Sequence, residues 1–118
     1  MKIFETGGKI NFVDDKNLFV GFDFEQDCCE SFGFFIRDTQ EADIPENWPS
    51  VDINDYSGYN FDPAFFAETG YDGTSLAIFK LKKGRKVKYL HIFNCHNGWY
   101  AHGFQFCNGE TVIREGNL

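Results

Sequence analysis

Apolar positions along this chain recur mostly with a period of two. That is the spacing of a strand that turns one face to a core and the other to water. Lys9 to Val13 is a short run of this kind, closed by the turn residues Asp14-Asp15-Lys16-Asn17. Phe19 to Phe24 follows, with Val20, Phe22 and Phe24 on one face and Phe19, Gly21 and Asp23 on the other. Ser31 to Arg37 is apolar on both faces around Phe34-Phe35-Ile36. Leu76 to Leu81, Val87 to Cys95 and Trp99 to Cys107 read as strands, and Thr111 to Arg114 as a last short one. Lys82-Lys83-Gly84-Arg85 and Asn108-Gly109 are turn chemistry. Asn97-Gly98 is a strong two-residue hairpin signal. Taken as such, it pairs Cys95 with Tyr100, Phe93 with His102, His91 with Phe104 and Tyr89 with Phe106. The aromatic residues and both of those histidines then form a core face, and Lys88, Leu90, Ile92 and Asn94 a mixed one.

Residues 38–73 break the pattern. They hold all three prolines and several glycines, and compose mostly as loop. Ile44, Trp48, Val51, Ile53, Tyr56, Tyr59 and Phe61 are spaced through them, so the segment is expected to wrap over a core. One helix signal lies inside it. Asp62 suits an N-cap, Pro63 the first helical position and Gly70 the stop, which predicts a short helix near residues 63–69. The expected fold is therefore mainly β. Residues 1–118 form a single domain built on a curved antiparallel sheet, a roll or small sandwich of about six to eight strands with that one helix.

Composition adds the core and the compartment. Fifteen of the 118 residues are Phe, spread through nearly every strand, and a few buried aromatics anchor a core of this size. The N-terminus shows no apolar signal region, and no segment approaches a membrane span. The expected compartment is the cytoplasm, with no membrane partner and four reduced cysteines.

The net charge is −7, which disfavours direct nucleic-acid binding. The charge is also segregated. Asp38 to Asp72 contains nine acidic residues and no Lys or Arg, whereas Lys80 to Lys88 contains six basic residues and no acidic one. Two solvated surfaces with a dipole between them account for this; an acidic docking face is the sharper alternative.

Asp27-Cys28-Cys29-Glu30 is the motif that most invites a chemical reading. A nucleophilic cysteine must be a thiolate, and flanking carboxylates raise a thiol's pKa. Pairing Cys28 or Cys29 with His91 or His102 as base would run against that field. Zinc sites draw on close pairs such as C-x2-C, and none is present. Adjacent cysteines in an extended segment point to opposite faces, so one of this pair is expected to pack inward. Cys95, His91 and His102 are then left as candidate ligands, with buried histidines bonded to backbone as the plainer reading. Cys28 meets Cys95 or Cys107 only if the fold brings them together, and four free thiols are expected. Asp52 to Pro63 has the outline of a calcium loop but ends in Pro63 where a bidentate Glu belongs. No cofactor, metal or catalytic residue is assigned.

Gln26-Asp27-Cys28-Cys29-Glu30 before the strand with Phe34-Phe35-Ile36, the Phe79-Lys80-Leu81 strand and Asn97-Gly98-Trp99-Tyr100 together resemble a family of small bacterial and phage proteins of unknown function. Those proteins share the D-C-C-E motif and a late N-G-aromatic-Tyr hairpin. The resemblance covers most of the chain, least well the acidic middle. It implies a small β-rich cytoplasmic protein of phage or mobile-element origin and carries over no catalytic residues.

The expected function is a non-enzymatic protein–protein interaction module. Trp48, Asp52, Asp55, Tyr56 and Tyr59 are its candidate contact residues, since interfaces combine aromatic anchors with a polar rim. The alternatives are an acidic inhibitor occupying the nucleic-acid groove of a defence enzyme, and a small cysteine-dependent hydrolase. The chain is expected to be a monomer or a homodimer, the latter through a patch of Leu90, Ile92 and Trp99.

Overall fold

A computed structural model describes residues 1–44, 53–71, 73–95 and 100–118. In chain order the strands are β1 (Lys2–Thr6), β2 (Lys9–Val13), β3 (Leu18–Asp23), β4 (Ser31–Arg37), β5 (Asn60–Phe61), β6 (Ala67–Tyr71), β7 (Thr74–Lys83), β8 (Lys86–Cys95), β9 (Gly103–Asn108) and β10 (Thr111–Asn117). They form two antiparallel sheets of five strands. One has the order β1-β2-β3-β9-β10; in the other the order is β4-β8-β7, with β5 and β6 both pairing the outer edge of β7. The only helix among the described residues is a single 3-10 turn, Ile53–Tyr56. No helix among them is long and apolar enough to cross a membrane.

The period-two pattern explains the core. Phe12, Val20, Phe22, Phe104 and Phe106 on the first sheet meet Phe61, Phe79, Leu81, Leu90 and Ile92 on the second, all essentially buried. Ring contacts join the sheets at Phe12–Phe34 (4.9 Å), Phe79–Phe106 (5.2 Å) and Phe61–Phe106 (5.4 Å). The second sheet is covered on its other face too, where Phe35, Leu76 and Phe93 cluster with Ile44 and Cys95. This is why β4 reads as apolar on both faces.

The described residues form ten strands, two more than the upper expectation, and the difference lies mostly in segments read as loop or helix. The helix expected at 63–69 is absent. Asp62 does accept a hydrogen bond from the Ala64 backbone N–H (3.0 Å), as a cap would, but the chain closes only one turn, with the Phe65 N–H on the Asp62 carbonyl (3.2 Å). Two isolated helical turns are marginal in water, whereas continuing as β6 gains a full edge pairing with β7 and seats Phe66 on Phe79 and Phe104. Gly70 is a strand position, not a stop. A Cβ there would lie 2.8 Å from the Thr74 carbonyl oxygen.

The hairpin expected between 87–95 and 99–107 does not form. Tyr89 lies opposite Arg37 and Lys80, while Phe106 lies opposite Val20 and Arg114. β8 is apolar on both faces and takes the centre of a sheet, flanked by β4 and β7; β9 joins the other sheet. Leu90 and Ile92 are fully buried between the sheets, so they form no exposed patch. Asn97, Gly98 and Trp99 lie outside the described residues.

Asp14 joins the two sheets. One carboxylate oxygen accepts the backbone N–H groups of Lys16 (2.8 Å) and Leu18 (2.9 Å), closing the β2–β3 turn. The other accepts the N–H of Phe61 (2.9 Å), which starts the edge of the second sheet.

Candidate functional site

The chain passes between the sheets twice at one end of the fold. Residues 24–30 lead from β3 to β4, and residues 96–102 lead from β8 to β9. The departure points are neighbours, because Ser31 pairs with Cys95 on one sheet and Phe22 with Phe104 on the other. Antiparallel register thus places the D-C-C-E motif and the Tyr100–His102 segment side by side, although they are some seventy residues apart in sequence.

Glu30 and His102 fasten the two crossings. Both side chains are fully buried, and His102 Nε2 lies 2.7 Å from Glu30 Oε2. Oε2 also accepts the Asp27 backbone N–H (3.1 Å), while Oε1 accepts from the Cys28 N–H (2.8 Å) and Gln26 Nε2 (2.9 Å). Gln26 Nε2 reaches the Cys28 and Glu30 carbonyls as well. A buried carboxylate is tolerated only when so satisfied. Burial alone would push the Glu30 carboxyl up, but the His102 bond and the N–H groups of Cys28 and Asp27 outweigh it and hold it at about 2.

The second ring nitrogen of His102, Nδ1, lies 2.8 Å from the Asp23 carbonyl. The imidazole thus has an oxygen partner at each ring nitrogen. It stacks on Phe32 at 4.1 Å. Its backbone exchanges both hydrogen bonds with Leu118 (2.8 Å each), and Asn94 Nδ2 donates to the Tyr100 (2.7 Å) and Leu118 (3.0 Å) carbonyls.

Cys28 and Cys29 sit above this pair in the loop that Glu30 holds. Both are exposed, with their sulfurs 3.2 Å apart. The expectation that one packs inward is thereby corrected: the loop is not extended there, and the residue of the motif that goes inside is Glu30. A hydrogen bond with Cys28 and its charge, with Glu30 behind, push the Cys29 thiol up. Cys28 likewise raises the Tyr100 phenol, so the two crossings also meet at the surface. Cys107 is buried and pushed up by that burial, and Cys95 is half-buried.

Asp27, Glu30 and His102 present carboxylate and imidazole atoms within 4.8 Å of one another. The direct contact between His102 Nε2 and Glu30 Oε2 occupies the atoms a metal would need. His91 lies on the far face of the second sheet, stacked on Phe35 at 4.6 Å with Nδ1 3.2 Å from the Tyr89 carbonyl. Burial lowers its pKa. The plainer reading of the histidines thus holds for one nitrogen of each.

Of the residues proposed to contact a partner, Asp55 is exposed, Tyr56 is half-buried against the core and Tyr59 is 4% exposed. Tyr59 therefore packs the interior and offers no surface. Trp48 and Asp52 lie outside the described residues. The segregated charges partly find each other: Lys82 pairs with Asp62 (3.2 Å) and Lys88 with Asp38. Arg37 holds Asp43 at 3.1 Å.

Sequence reasoning missed the Glu30–His102 pair and the Asp14 link. The signal for Glu30 was a carboxylate two residues after an exposed loop N–H and immediately before an apolar strand, where it caps the loop it closes. Comparison with protein-family models, with curated proteins and with solved structures finds no match to this chain.

Proposed function

We propose that the chain is a non-enzymatic binding module that engages another protein through its acidic middle segment. The observation that carries this reading is how the ionisable groups are spent. Glu30 and His102, the one hydrogen-bonded carboxylate–imidazole pair among the described residues, are consumed inside the fold. His102 has one nitrogen on Glu30 and the other on the Asp23 carbonyl, so neither is free to activate a thiol or a water. Asp55 and Glu68 are left in water, and Glu41 and Asp43 stay exposed although both face Arg37. The pairs Lys82–Asp62 and Lys88–Asp38 anchor the described part of the acidic segment at two points to the basic strands β7 and β8. They also neutralise two carboxylates, which tells against a continuous mimic of a phosphate backbone. A basic protein surface fits what remains, with Tyr56 at its margin.

The test is affinity capture from a lysate of the source organism, comparing wild type with a Glu41→Lys, Asp43→Lys, Asp55→Lys variant of unchanged circular dichroism. A basic protein retained by wild type, released by salt and lost with the variant supports the reading. Retention indifferent to both salt and charge reversal sinks it. Displacement of that protein by DNA or RNA would instead assign the chain to the acidic inhibitors.

A further inference from the structure

Cys28 and Cys29 are adjacent in sequence, exposed on one side of the loop, and have their sulfurs 3.2 Å apart. The loop that carries them is anchored on both flanks: Glu30 accepts the Asp27 and Cys28 N–H groups, and Gln26 spans to the Cys28 and Glu30 carbonyls. The sulfurs are thus held together before any ligand arrives. From this arrangement we infer that Cys28 and Cys29 form a chelating site for a thiophilic trivalent centre, of which an organic arsenical is the simplest representative.

Three physical points select that class. First, the pair is a poor disulfide. Bridged cysteines usually have Cα atoms roughly 4.4–6.8 Å apart, whereas consecutive residues are held at about 3.8 Å, so a bridge here would be strained and easily reduced. The dithiol persists as a ligand. Second, Cys29 is a poor nucleophile, since the Cys28 thiol beside it and the Glu30 carboxylate favour its protonated form. Third, the spacing suits a small bite. Two thiolates on a tetrahedral zinc, with Zn–S near 2.3 Å, stand about 3.8 Å apart, and zinc needs two further protein ligands. A pyramidal trivalent arsenic has bonds opening close to a right angle, which brings its sulfurs nearer together. Its third bond goes to its own organic group, so two thiols complete the site.

The chemistry balances without an oxidant. An arsine oxide reacts with two thiols to form two As–S bonds. The As–O bonding is lost, both thiol protons leave with the oxygen as one water, and arsenic remains trivalent. The product carries no charge on sulfur, so the acidic surroundings do not oppose it. The two other thiols are less accessible, Cys107 being buried and Cys95 half-buried.

The probe is phenylarsine oxide, titrated into the reduced full chain and read by intact mass and by the loss of titratable thiols. Wild type is expected to take one equivalent, to keep it through a monothiol wash and to release it to a 1,2-dithiol. Cys28→Ser and Cys29→Ser each lose the chelate and bind about a hundredfold more weakly or worse, whereas Cys95→Ser binds as wild type does. Both substituted positions are exposed, and circular dichroism checks that the variants fold. The inference is overturned if either single variant retains the probe as wild type does, if binding follows Cys95 or Cys107, or if a monothiol wash strips it from wild type.

Discussion

Replacing Asp14 by alanine removes the acceptor of three backbone N–H groups at once. The Lys16 N–H lies on an exposed residue and recovers a bond to water. The N–H groups of Leu18 and Phe61 belong to residues 6% and 5% exposed, and they are left without a partner. An orphaned buried donor costs roughly 1–3 kcal/mol, so two place the loss for Asp14→Ala at about 4 kcal/mol. That is a large part of the roughly 5–15 kcal/mol that holds a domain folded. Asparagine separates the two tasks. It keeps one oxygen for the turn but turns an NH2 group toward the Phe61 N–H, so Asp14→Asn orphans a single donor and costs about 2 kcal/mol. Urea unfolding followed by far-ultraviolet circular dichroism gives the free energies, with the slope against urea expected to stay constant. A loss below about 1 kcal/mol for Asp14→Ala would refute the reasoning, since water would then reach both donors. Equal losses in the two variants would refute the division between turn and sheet.

The Glu30 carboxyl, at about 2 when folded against an ordinary 4.5, contributes stability that is fully present above its ordinary value and lost as pH falls toward 2. Glu30→Gln is therefore expected to be less stable than wild type near neutral pH, with the two unfolding midpoints converging in acid; parallel curves would contradict the pair. The lowered pKa of buried His91 makes its neutral form the folded one, so stability should decline as pH falls below the ordinary 6.5. His91→Phe keeps a ring against Phe35 and should flatten that decline between about pH 7 and 5, measured by urea midpoints at each pH. Gly70→Ala forces a Cβ against the Thr74 carbonyl and should cost about 1–3 kcal/mol by the same assay; a neutral result would mean that β6 lifts from β7 freely.

What the sequence made legible is what alternation governs. The bounds of β2 and β4 were readable because each carries an unbroken apolar rhythm between turn residues. β1 was not, since Lys2–Thr6 is largely exposed, with even Phe4 at 46%, and so leaves no one-faced pattern. β5 and β6 were masked by Asp62-Pro63, whose capping chemistry is real locally but yields to edge pairing. The larger error had the same cause in reverse: Asn97-Gly98 is a local signal, while the partners of β8 are fixed by its two apolar faces, a demand that only other strands can meet. The Glu30–His102 pair depends on where two crossings land, which no window of sequence contains. Its carboxylate was in view only as a neighbour of the cysteines.

The first sheet has a consequence for how the chain comes into being. Three of its strands are made first and two last, and β3 finds β9 only after the whole second sheet has been synthesised. Until then the β1–β3 meander emerges from the ribosome with Phe12, Val20 and Phe22 uncovered, a half-sheet waiting for its closing edge. A nascent chain stalled before residue 103 would be a natural client for chaperones that bind extended apolar strands.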